Sequence, residues 1–456
     1  MNRPALADTF AAQSAAFAAA PYPPARERRA NLTRLLEALL AHQDEFASAI
    51  DRDFSGRSRD EVLFSEVYVA VNAIRYARRH LKGWMTPRRR HVGWPLQPAE
   101  AWVLPQPVGV VGIIVPWNYP VFLSMAPLAG ALAAGNRVLL KPSEYTPETS
   151  ALLARIITAA FPPDLVSVAL GDSTVGRAFA ALPFNHLLFT GATSVGRDVM
   201  RAAAENLTPV TLELGGKSPA IVAPDANLRR AADDIVFGKL LNSGQTCIAP
   251  DYVLVADSAL RPFVDALRGA VERYYPDAKY TSIINGKQYQ RLHGYLEEAA
   301  SRGVETITLG AERGLAPTIL INPPDDLKVM REEIFGPILP LKTYGTIGEA
   351  IAYVNQHERP LALYLFTRSR QTINSVLTRT ISGGVCINDT LLHIAAEDLP
   401  FGGVGASGMG HYHGQEGFDT FSQLKPVFHR RWLGLGRMLR PPHTRLHDWM
   451  ARILIR

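Results

Sequence analysis

Hydrophobic positions in the first hundred residues recur at helical spacing. The stretch RRANLTRLLEALLAHQDEFASAI (28–50) places five leucines on one helical face: Leu32, Leu35, Leu36, Leu39 and Leu40. A second helix is predicted through SEVYVAVNAIRYARRHL (65–81). The alanine-rich start has the composition of a secretory signal, but Asp8 and Gln13 interrupt its apolar run. An ordinary N-terminal helix is therefore predicted there.

After residue 107 the pattern changes to short, continuous apolar runs separated by helical stretches. The runs are VGVVGIIV (108–115), RVLLK (137–141), LVSVAL (165–170), HLLF (186–189) and PVTLEL (209–214). Such runs are typical of strands buried on both faces. One intervening helix is predicted to begin with Thr146 as its N-cap and Pro147 at its first position. This alternation predicts a parallel sheet covered by helices, an architecture typical of nucleotide-binding domains.

A second series of apolar runs follows the first and predicts a second α/β domain. Its strands are expected at PAIVA (219–223), DYVLVA (251–256), ILPLKTY (338–344), LALYLF (361–366) and GVCIN (384–388). A length of 456 residues with 47 % hydrophobic residues suits two or three domains with large cores.

Polar and glycine residues follow several predicted strands of the first domain. Asn118 in VPWNYP follows the first strand, and Lys141 and Glu144 in KPSE follow the second. Gly191 and Gly196 in FTGATSVG allow a ligand close to the backbone at a helix start. Ligands of open α/β sheets bind at the carboxyl ends of the strands, so these residues are candidates for a ligand site.

Cys247 lies in NSGQTCIAP (242–250), a run of small and polar residues, 34 residues after Glu213 in LELGGKSP. A lone cysteine is more often a core thiol than a nucleophile, and a lone glutamate in a strand is usually solvated. The position of these residues beside strand ends and tight glycine turns favours the role of nucleophile for Cys247. Cys386, within the apolar run GVCIN, is predicted to be a core thiol.

Charge and cysteine content narrow the class of protein. The net charge is +6, but seven arginines and one acidic residue fall within 426–456, which leaves the rest neutral. That distribution argues against a nucleic-acid surface, and RRRH (88–91) is predicted to be a solvated turn. Two cysteines without a CxxC motif predict no disulfide framework, no metal site and a cytoplasmic protein. His411 and His413 have no third ligand at metal spacing, so surface or packing roles are predicted.

Six motifs together resemble the aldehyde dehydrogenase superfamily over residues 25–425. In chain order they are PWNYP (116–120), KPSE (141–144), ELGGKSP (213–219), GQTC (244–247), EIFGP (333–337) and PFGG (400–403). ELGGKSP followed by GQTC at this spacing is highly specific. CIAPDYVLV and GMGHYHG resemble the class 3 branch, which includes fatty, benzaldehyde-type and coniferyl aldehyde dehydrogenases. The stretch FSQLKPVFH is most similar to the bacterial coniferyl aldehyde enzymes.

The resemblance implies an α/β fold of the aldehyde dehydrogenase type. Two parallel-sheet α/β domains are expected, one Rossmann-like and cofactor-binding and the other catalytic, with a small β oligomerisation arm and a homodimeric assembly. The expected boundaries are 1–97 and 110–213 for the cofactor domain, 214–400 for the catalytic domain, 98–109 and 401–425 for the bridging segments, and 426–456 for a basic amphipathic tail.

The resemblance also implies a role for each candidate residue. Cys247 would attack the aldehyde carbonyl and carry first a thiohemiacetal and then a thioester. Asn118 and the Cys247 backbone N–H would bind the oxyanion, and Glu213 would act as general base for hydrolysis. Tyr119 and Tyr68 are candidates for the substrate channel, with simple space-filling as the alternative.

NAD is the cofactor that the resemblance implies, with NADP as the alternative. Lys141 and Glu144 would bind the adenosine ribose, and Gly191 and Ser194 would face the pyrophosphate at a helix start. The nicotinamide half is assigned to Glu333 at its ribose and Phe335 beside its ring. One departure from the family is Ala192, where many members have serine. No GxGxxG motif accompanies these residues.

Several functional alternatives stay open at this point. The substrate is expected to be an aromatic aldehyde of the coniferyl or cinnamyl type, with a medium- or long-chain fatty aldehyde as the alternative. A cofactor-free thioesterase or acyltransferase would use Cys247 and Glu213 but would not need Lys141, Glu144 or Glu333. A catalytically inactive relative is disfavoured because Cys247, Glu213 and Asn118 are all present.

The C-terminal stretch HTRLHDWMARILIR (443–456) is predicted to form an amphipathic helix. Its apolar stripe consists of Leu446, Trp449, Met450, Ile453 and Leu454. Packing of this stripe on the enzyme's own surface, or across a dimer near the substrate entrance, is favoured. The alternative is peripheral contact with an anionic inner membrane surface, because fourteen residues are too few to span a bilayer.

Overall fold

Three β-sheets organise the chain, whose computed structural model describes residues 3–310, 314–430 and 441–455. The strands are β1 (Arg88–Arg90), β2 (Ala99–Pro107), β3 (Val110–Ile114), β4 (Arg137–Lys141), β5 (Val166–Val168), β6 (His186–Gly191), β7 (Val210–Leu214), β8 (Pro219–Val222), β9 (Tyr252–Ala256), β10 (Glu305–Thr308), β11 (Thr318–Ile321), β12 (Ile338–Tyr344), β13 (Ala362–Phe366), β14 (Gly384–Ile387), β15 (Gly408–Met409) and β16 (Ser422–Arg430). All ten apolar runs predicted as strands are confirmed.

Helices cover the sheets and fill the N-terminal region. They are α1 (Arg3–Ala19), α2 (Ala25–Ala41), α3 (Gln43–Phe54), α4 (Arg59–Val62), α5 (Val69–Trp84), α6 (Phe122–Ala134), α7 (Pro147–Ala160), α8 (Ser173–Ala180), α9 (Thr193–Ala204), α10 (Leu228–Leu240), α11 (Leu260–Tyr274), α12 (Gly286–Ser301), α13 (Lys328–Arg331), α14 (Ile347–Gln356), α15 (Arg370–Arg379), α16 (Gly414–Thr420) and α17 (Arg445–Leu454). A π-helical turn, Leu63–Tyr68, joins α4 to α5.

The N-terminal helices follow the predicted periodicity with one interruption. Most of the leucine face is buried, but the helix predicted over 28–50 breaks at His42 into α2 and α3. The predicted N-terminal helix α1 is confirmed. It packs on the first sheet, where Gln13 Nε2 donates to the Val138 carbonyl at 2.9 Å.

The first sheet has six strands in the order β15-β7-β6-β3-β4-β5. Strands β3 to β7 are parallel, and the short β15 runs antiparallel to β7 at its edge. The chain goes outward from β3 through β4 to β5 and then crosses back to place β6 on the other side of β3. This reversal creates a crevice at the carboxyl ends of β3 and β6, the usual ligand position in such sheets.

Helix α7 begins as predicted, with Thr146 at the N-cap position and Pro147 as its first residue. Thr146 makes no side-chain capping bond. Instead the Asp53 carboxylate, from the C-terminal turn of α3, accepts hydrogen bonds from the Glu148 and Thr149 backbone N–H groups at 3.1 and 2.9 Å. A carboxylate here satisfies the free N–H groups and also suits the positive end of the helix dipole.

The second sheet has seven strands in the order β10-β11-β12-β9-β8-β13-β14. Its strands are parallel except β10, which is antiparallel to β11. The last strand, β14, lies at an edge and has a neighbour on one side only. For this reason Cys386 is half-buried, and the prediction of a core thiol is wrong in that respect.

The third sheet is small and antiparallel, with the order β1-β2-β16. The predicted solvated turn at 88–91 is wrong, because Arg88–Arg90 pair with Ala101–Val103 of β2. Strand β16 pairs with β2 from Ser422 to Arg430, so residues 426–430 belong to this sheet and not to a separate tail. These sheets do not by themselves define domain boundaries, which stay a prediction.

The predicted tail helix is present as α17. None of its residues is buried, and Leu446, Trp449 and Ile453 of the apolar stripe are 49, 60 and 47 % exposed. The arginines at 431, 437 and 440 lie outside the described residues. The described residues therefore leave most of the stripe uncovered. Within the same ranges, no helix combines the length and apolar content needed to cross a membrane.

Candidate active site

The first sheet brings four of the predicted site residues to one edge. Asn118 follows β3, Lys141 ends β4, Gly191 ends β6, and Glu213 is the penultimate residue of β7. The order β7-β6-β3-β4 makes these strands consecutive neighbours, all parallel. Their carboxyl ends consequently face the same crevice.

The segment that carries Cys247, residues 242–247, lies after α10 in an unusual backbone conformation and is called the nucleophile loop below. Asn242, Ser243 and Gly244 all have positive φ angles, of 50, 52 and 76°. Left-handed backbone is costly for non-glycine residues and persists only where surrounding contacts hold it. Here Gln245 supplies them: its Nε2 donates to the Ser282 carbonyl at 3.0 Å, and its Oε1 accepts from the Ile284 N–H at 2.9 Å.

Cys247 is half-buried, and two glutamates act on its thiol. Burial, followed by the nearby carboxyl groups of Glu333 and Glu213, raises the pKa of Cys247 to about 12. The backbone N–H groups of Cys247 and Ile248 oppose this rise in pKa. The protonated thiol is therefore the resting form near neutral pH.

The raised pKa of Cys247 predicts that the reactivity of its thiol depends on pH. In a Cys386→Ala background, the rate of Cys247 alkylation by iodoacetamide should rise about tenfold per pH unit from pH 7 to 9. The reason is that the thiolate is the reactive form and its fraction grows tenfold per unit below the pKa. Rates would be followed by mass spectrometry of the intact protein. A plateau below pH 9 would contradict the raised pKa.

Glu213 is a buried carboxyl group without a hydrogen-bond partner. Its side chain is 3 % exposed, and neither of its oxygens is bonded to any described residue. Burial raises the pKa of Glu213 well above its ordinary range. A carboxylate whose pKa is raised is a stronger base, which suits a general base.

Asn118 lies between the nucleophile loop and the first sheet. Its Nδ2 donates to the Gln245 carbonyl at 3.1 Å, two residues before Cys247. A primary amide has a second hydrogen to offer, so the same group can also donate to an oxyanion. The backbone carbonyl of Asn118 accepts hydrogen bonds from Asn242 Nδ2 at 3.0 Å and from Arg57 Nη1 at 3.0 Å.

The adenosine end of the predicted cofactor site contains a lysine and a glutamate. Lys141 Nζ lies 3.6 Å from Glu144 Oε2 and donates to the Pro142 carbonyl at 2.8 Å. Burial lowers the pKa of Lys141, and Glu144 opposes that fall. Lys141 is buried while Glu144 is exposed, an arrangement that leaves the carboxylate accessible to ribose hydroxyls.

Helix α9 supplies the predicted pyrophosphate site. Its N-cap, Ala192, makes no side-chain capping bond, so the first-turn N–H groups are not occupied by a cap. Gly191 and Ser194 lie at this helix start. An uncapped N-terminus attracts anions through its N–H groups and dipole, which fits a pyrophosphate.

Glu333 and Phe335 bring the second domain to the same site. Glu333 is half-buried, its buried Oε1 has no partner among the described residues, and burial raises its pKa to about 8. A Cβ at Gly215 would overlap the Glu333 carboxyl group, so glycine here leaves room for that group. The Phe335 ring lies 5.4 Å from Trp117, the neighbour of Asn118. An orphaned carboxylate beside the thiol fits a ribose hydroxyl donor, so these residues suit a dinucleotide.

The two tyrosines proposed for the substrate channel occupy different positions. Tyr119 is buried, its hydroxyl lies 2.7 Å from Thr246 Oγ1, and the Arg57 guanidinium covers its ring at 4.5 Å. Tyr68 ends the π-helical turn and is 55 % exposed. Tyr119 thus contacts the nucleophile loop, whereas the structure does not bring Tyr68 into that contact. Their role in binding substrate stays a prediction.

His413 and His411 take the packing and surface positions that were predicted. His413 is buried and stacks on Phe401 at 5.1 Å, and His411 is exposed. In the described ranges no group of three or more His, Cys, Asp or Glu side chains is arranged to hold a metal.

Several residues at the site have no counterpart in the sequence-based prediction. Arg57 donates to the Asn118 backbone carbonyl, Glu61 accepts from the Asn242 N–H of the nucleophile loop, and Glu66 accepts from the Val121 N–H. Tyr412 is buried and interacts electrostatically with both Glu213 and Cys247. The sequence did not indicate a role for the charged residues at the site, because Arg57 and Glu61 are spaced like an ordinary exposed ion pair on a helix.

Comparisons with known proteins agree with this geometry. The family model for the aldehyde dehydrogenase family matches residues 3–427. A probable coniferyl aldehyde dehydrogenase of Pseudomonas aeruginosa is 54 % identical over 441 residues, covering 95 % of this chain and 93 % of the relative. The substrate-bound state of Staphylococcus aureus AldH superposes with a TM-score of 0.93 at 36 % identity, covering 98 % of this chain and 99 % of the other. The NAD⁺ complex of a Bacillus cereus aldehyde dehydrogenase gives a TM-score of 0.86 at 28 % identity, covering 94 and 89 %.

Proposed function

Because the chain belongs to the aldehyde dehydrogenase family, we propose that it oxidises an aromatic aldehyde of the coniferyl or cinnamyl type to the acid. The observation that carries the reaction class is the convergence of Glu213, Glu333 and Asn118 on Cys247. The support for an aromatic substrate is the identity of 54 % with a probable coniferyl aldehyde dehydrogenase. A thioesterase would leave Glu333, whose buried Oε1 has no partner among the described residues, without a role.

The residues of this chain would act in sequence on the bound aldehyde. After its proton has passed to solvent, Cys247 Sγ adds to the carbonyl carbon and forms the thiohemiacetal oxyanion, to which Asn118 Nδ2 and the Cys247 N–H donate. Bound NAD supplies the hydride acceptor for the oxidation. Glu213 then takes a proton from the water that hydrolyses the Cys247 thioester, and the acid leaves.

A substrate panel tests the proposed substrate class. Benzaldehyde, a cinnamaldehyde-type substrate, hexanal and hexadecanal would each be assayed with NAD and with NADP. We expect the highest kcat/KM with the cinnamaldehyde-type substrate. Because kcat/KM compares transition-state binding, a higher value with hexadecanal would favour the fatty aldehyde alternative. If the enzyme oxidised none of the aldehydes in the panel, the proposed function would be rejected.

The carboxylate of Glu144, at the proposed adenosine ribose site, is proposed to favour NAD over NADP. Glu144→Gln should raise kcat/KM with NADP about fivefold, because the variant removes a negative charge that would repel the 2′-phosphate across a partly solvated gap. Activity with NAD should change little. Steady-state kinetics with both cofactors measure the effect.

The matched control for this variant is Glu148→Gln. Glu148 lies four residues further on, is exposed and pairs with Arg52 outside the proposed ribose site. We expect no change in NADP use for the control. An equal gain in both variants would mean that general surface charge, and not Glu144 at the ribose, sets the preference.

The chain is further proposed to act as a cytoplasmic homodimer in which α17 covers part of the second copy. What supports this is the uncovered apolar stripe of α17 and the exposed edge strand β14, where Ile387 is 37 % exposed. Edges and apolar stripes of this kind are commonly covered in assemblies. Both described cysteines are free thiols, as expected in a reducing compartment.

Truncation after Arg430, which leaves strand β16 intact, tests the tail. We expect the truncated enzyme to lose kcat/KM for the larger aldehydes, while the intact protein stays in the supernatant with anionic liposomes at low and high salt. Sedimentation of only the intact protein at low salt would instead favour the membrane alternative. Unchanged kinetics without sedimentation would remove both roles.

A further inference from the structure

Arg57 is a fully buried arginine, with a side-chain exposure of 0 %, in the short segment between α3 and α4. Its guanidinium makes four hydrogen bonds. Nε donates to Glu61 Oε1 at 3.0 Å, Nη2 to Ser65 Oγ at 3.1 Å, and Nη1 both to Glu66 Oε1 at 2.8 Å and to the Asn118 carbonyl at 3.0 Å. The bond to Asn118 spans 61 positions in the chain, so only the tertiary structure creates it.

Glu66 extends this network to the backbone that follows Asn118. Its second oxygen accepts from the Val121 N–H at 2.7 Å and from the Phe122 N–H at 3.2 Å, at the start of α6. Glu66 and Ser65 both lie in the π-helical turn, and both contact the same guanidinium. Such wide turns occur often at functional sites. The backbone of residues 118–122 is thus fixed at both ends by one ion pair.

Glu61 extends the same network to the nucleophile loop. Its Oε1 accepts from the Asn242 N–H at 3.0 Å as well as from Arg57 Nε. Asn242 is the first residue of the loop with left-handed backbone, and its Nδ2 donates back to the Asn118 carbonyl. One guanidinium therefore connects the loop that carries Cys247 with the residue that faces it.

A buried ion pair is a costly way to stabilise a fold, because desolvation offsets most of its attraction. The four hydrogen bonds of the Arg57 guanidinium are better explained by the groups that they orient. We propose that Arg57 is a positioning residue that, through the Asn118 carbonyl and through Glu66 and Glu61, holds the Asn118 amide in register with Cys247. The inference rests on the proposed role of Asn118 as oxyanion donor.

A double-mutant cycle with Arg57→Lys and Asn118→Ala tests this coupling. Lysine keeps the charge but cannot make the forked set of bonds, so Arg57→Lys should lower kcat about 10- to 100-fold with little change in KM for NAD. Asn118→Ala should lower kcat about 10²–10³-fold. If Arg57 acts through Asn118, the double variant should be no slower than Asn118→Ala alone, within about twofold.

Arg28→Lys is the matched control. Arg28 is also a buried arginine, 1 % exposed. Its Nη1 donates to the backbone carbonyls of Ala133 and Ala134, which belong neither to the nucleophile loop nor to residues 118–122. We expect Arg28→Lys to lower Tm but to keep kcat per folded enzyme. Glu66→Gln provides a second disruption of the network should Arg57→Lys not fold, and it should show the same non-additivity with Asn118→Ala.

The outcomes separate this inference from the proposed function. Losses in kcat that multiply in the double variant would overturn the positioning role of Arg57 and leave Asn118 as oxyanion donor. A loss of kcat in Arg28→Lys equal to that in Arg57→Lys would also overturn it, because buried arginines would then act only through stability. Full kcat in Asn118→Ala would reject the oxyanion assignment itself, and the inference about Arg57 with it.

Discussion

Replacing Cys247 by alanine is expected to abolish aldehyde oxidation while leaving NAD binding intact. The thiol is the group that forms the covalent bond to substrate in the proposed reaction, and removal of a nucleophile typically costs on the order of 10⁴-fold or more in kcat. The half-buried Cys247 side chain carries little of the fold, so Tm should change little. Aldehyde-dependent NADH formation and calorimetric titration with NAD measure the two properties.

Cys386→Ala is the matched control for this variant. Cys386 is the other free thiol and is also half-buried, but it lies on the edge strand β14. It should keep most of the activity. If Cys386→Ala were inactive and Cys247→Ala active, the assignment of the nucleophile would be reversed. If Cys247→Ala also lost NAD binding, the variant would report a collapsed site instead of a missing nucleophile.

Glu213→Gln is expected to slow hydrolysis of the thioester far more than oxidation of the aldehyde. Glutamine has nearly the same shape but cannot take a proton from water, and loss of a general base typically costs about 10²–10⁴-fold. The Glu213 side chain makes no hydrogen bond with any described residue, so the substitution should not disturb the surrounding packing. Stopped-flow absorbance should show a burst of about one NADH per active site followed by slow turnover.

Glu333→Gln provides the contrasting variant, since Glu333 is the second buried carboxyl group that acts on the Cys247 thiol. Its proposed partner is the nicotinamide ribose, so its loss should weaken NAD binding or slow the burst itself. Glu213→Gln should leave the burst rate nearly unchanged. An unchanged steady-state rate in Glu213→Gln would remove this residue from the mechanism, and a slow burst would place it before the thioester.

The local pattern of the sequence was sufficient for strands β3 to β9 and β12 to β14 and for the position of the main site. Continuous apolar runs are buried on both faces of a parallel sheet, so β3 to β7 could be predicted from hydrophobicity alone. Asn118, Lys141, Gly191 and Glu213 follow those strands and therefore meet at one edge. The cysteine was singled out by its small polar neighbours, although the cofactor required resemblance to a family.

Edge positions and cap partners could not be predicted, because both depend on distant segments. Cys386 lies in an apolar run like the others, yet β14 has a neighbour on one side only and leaves the thiol half-exposed. The start of α7 was predicted from Pro147, but its capping hydrogen bonds go to Asp53, about ninety residues earlier in the chain. Residues 88–90 have the composition of a solvated turn and become a strand only because β2 offers backbone partners.

The sequence by itself determined the α/β architecture, the strand ends and the chemical groups of the site, since periodicity and motif spacing are local properties. The tertiary structure alone decided how those groups are held. Arg57 and Glu61 are spaced like an exposed helical ion pair, yet both are directed to residues 118 and 242. Likewise the stripe of α17 is apolar in sequence, but only the folded chain shows that its own surface leaves it uncovered. A buried charge is recognised by what surrounds it, and its surroundings here come from segments far apart in the chain.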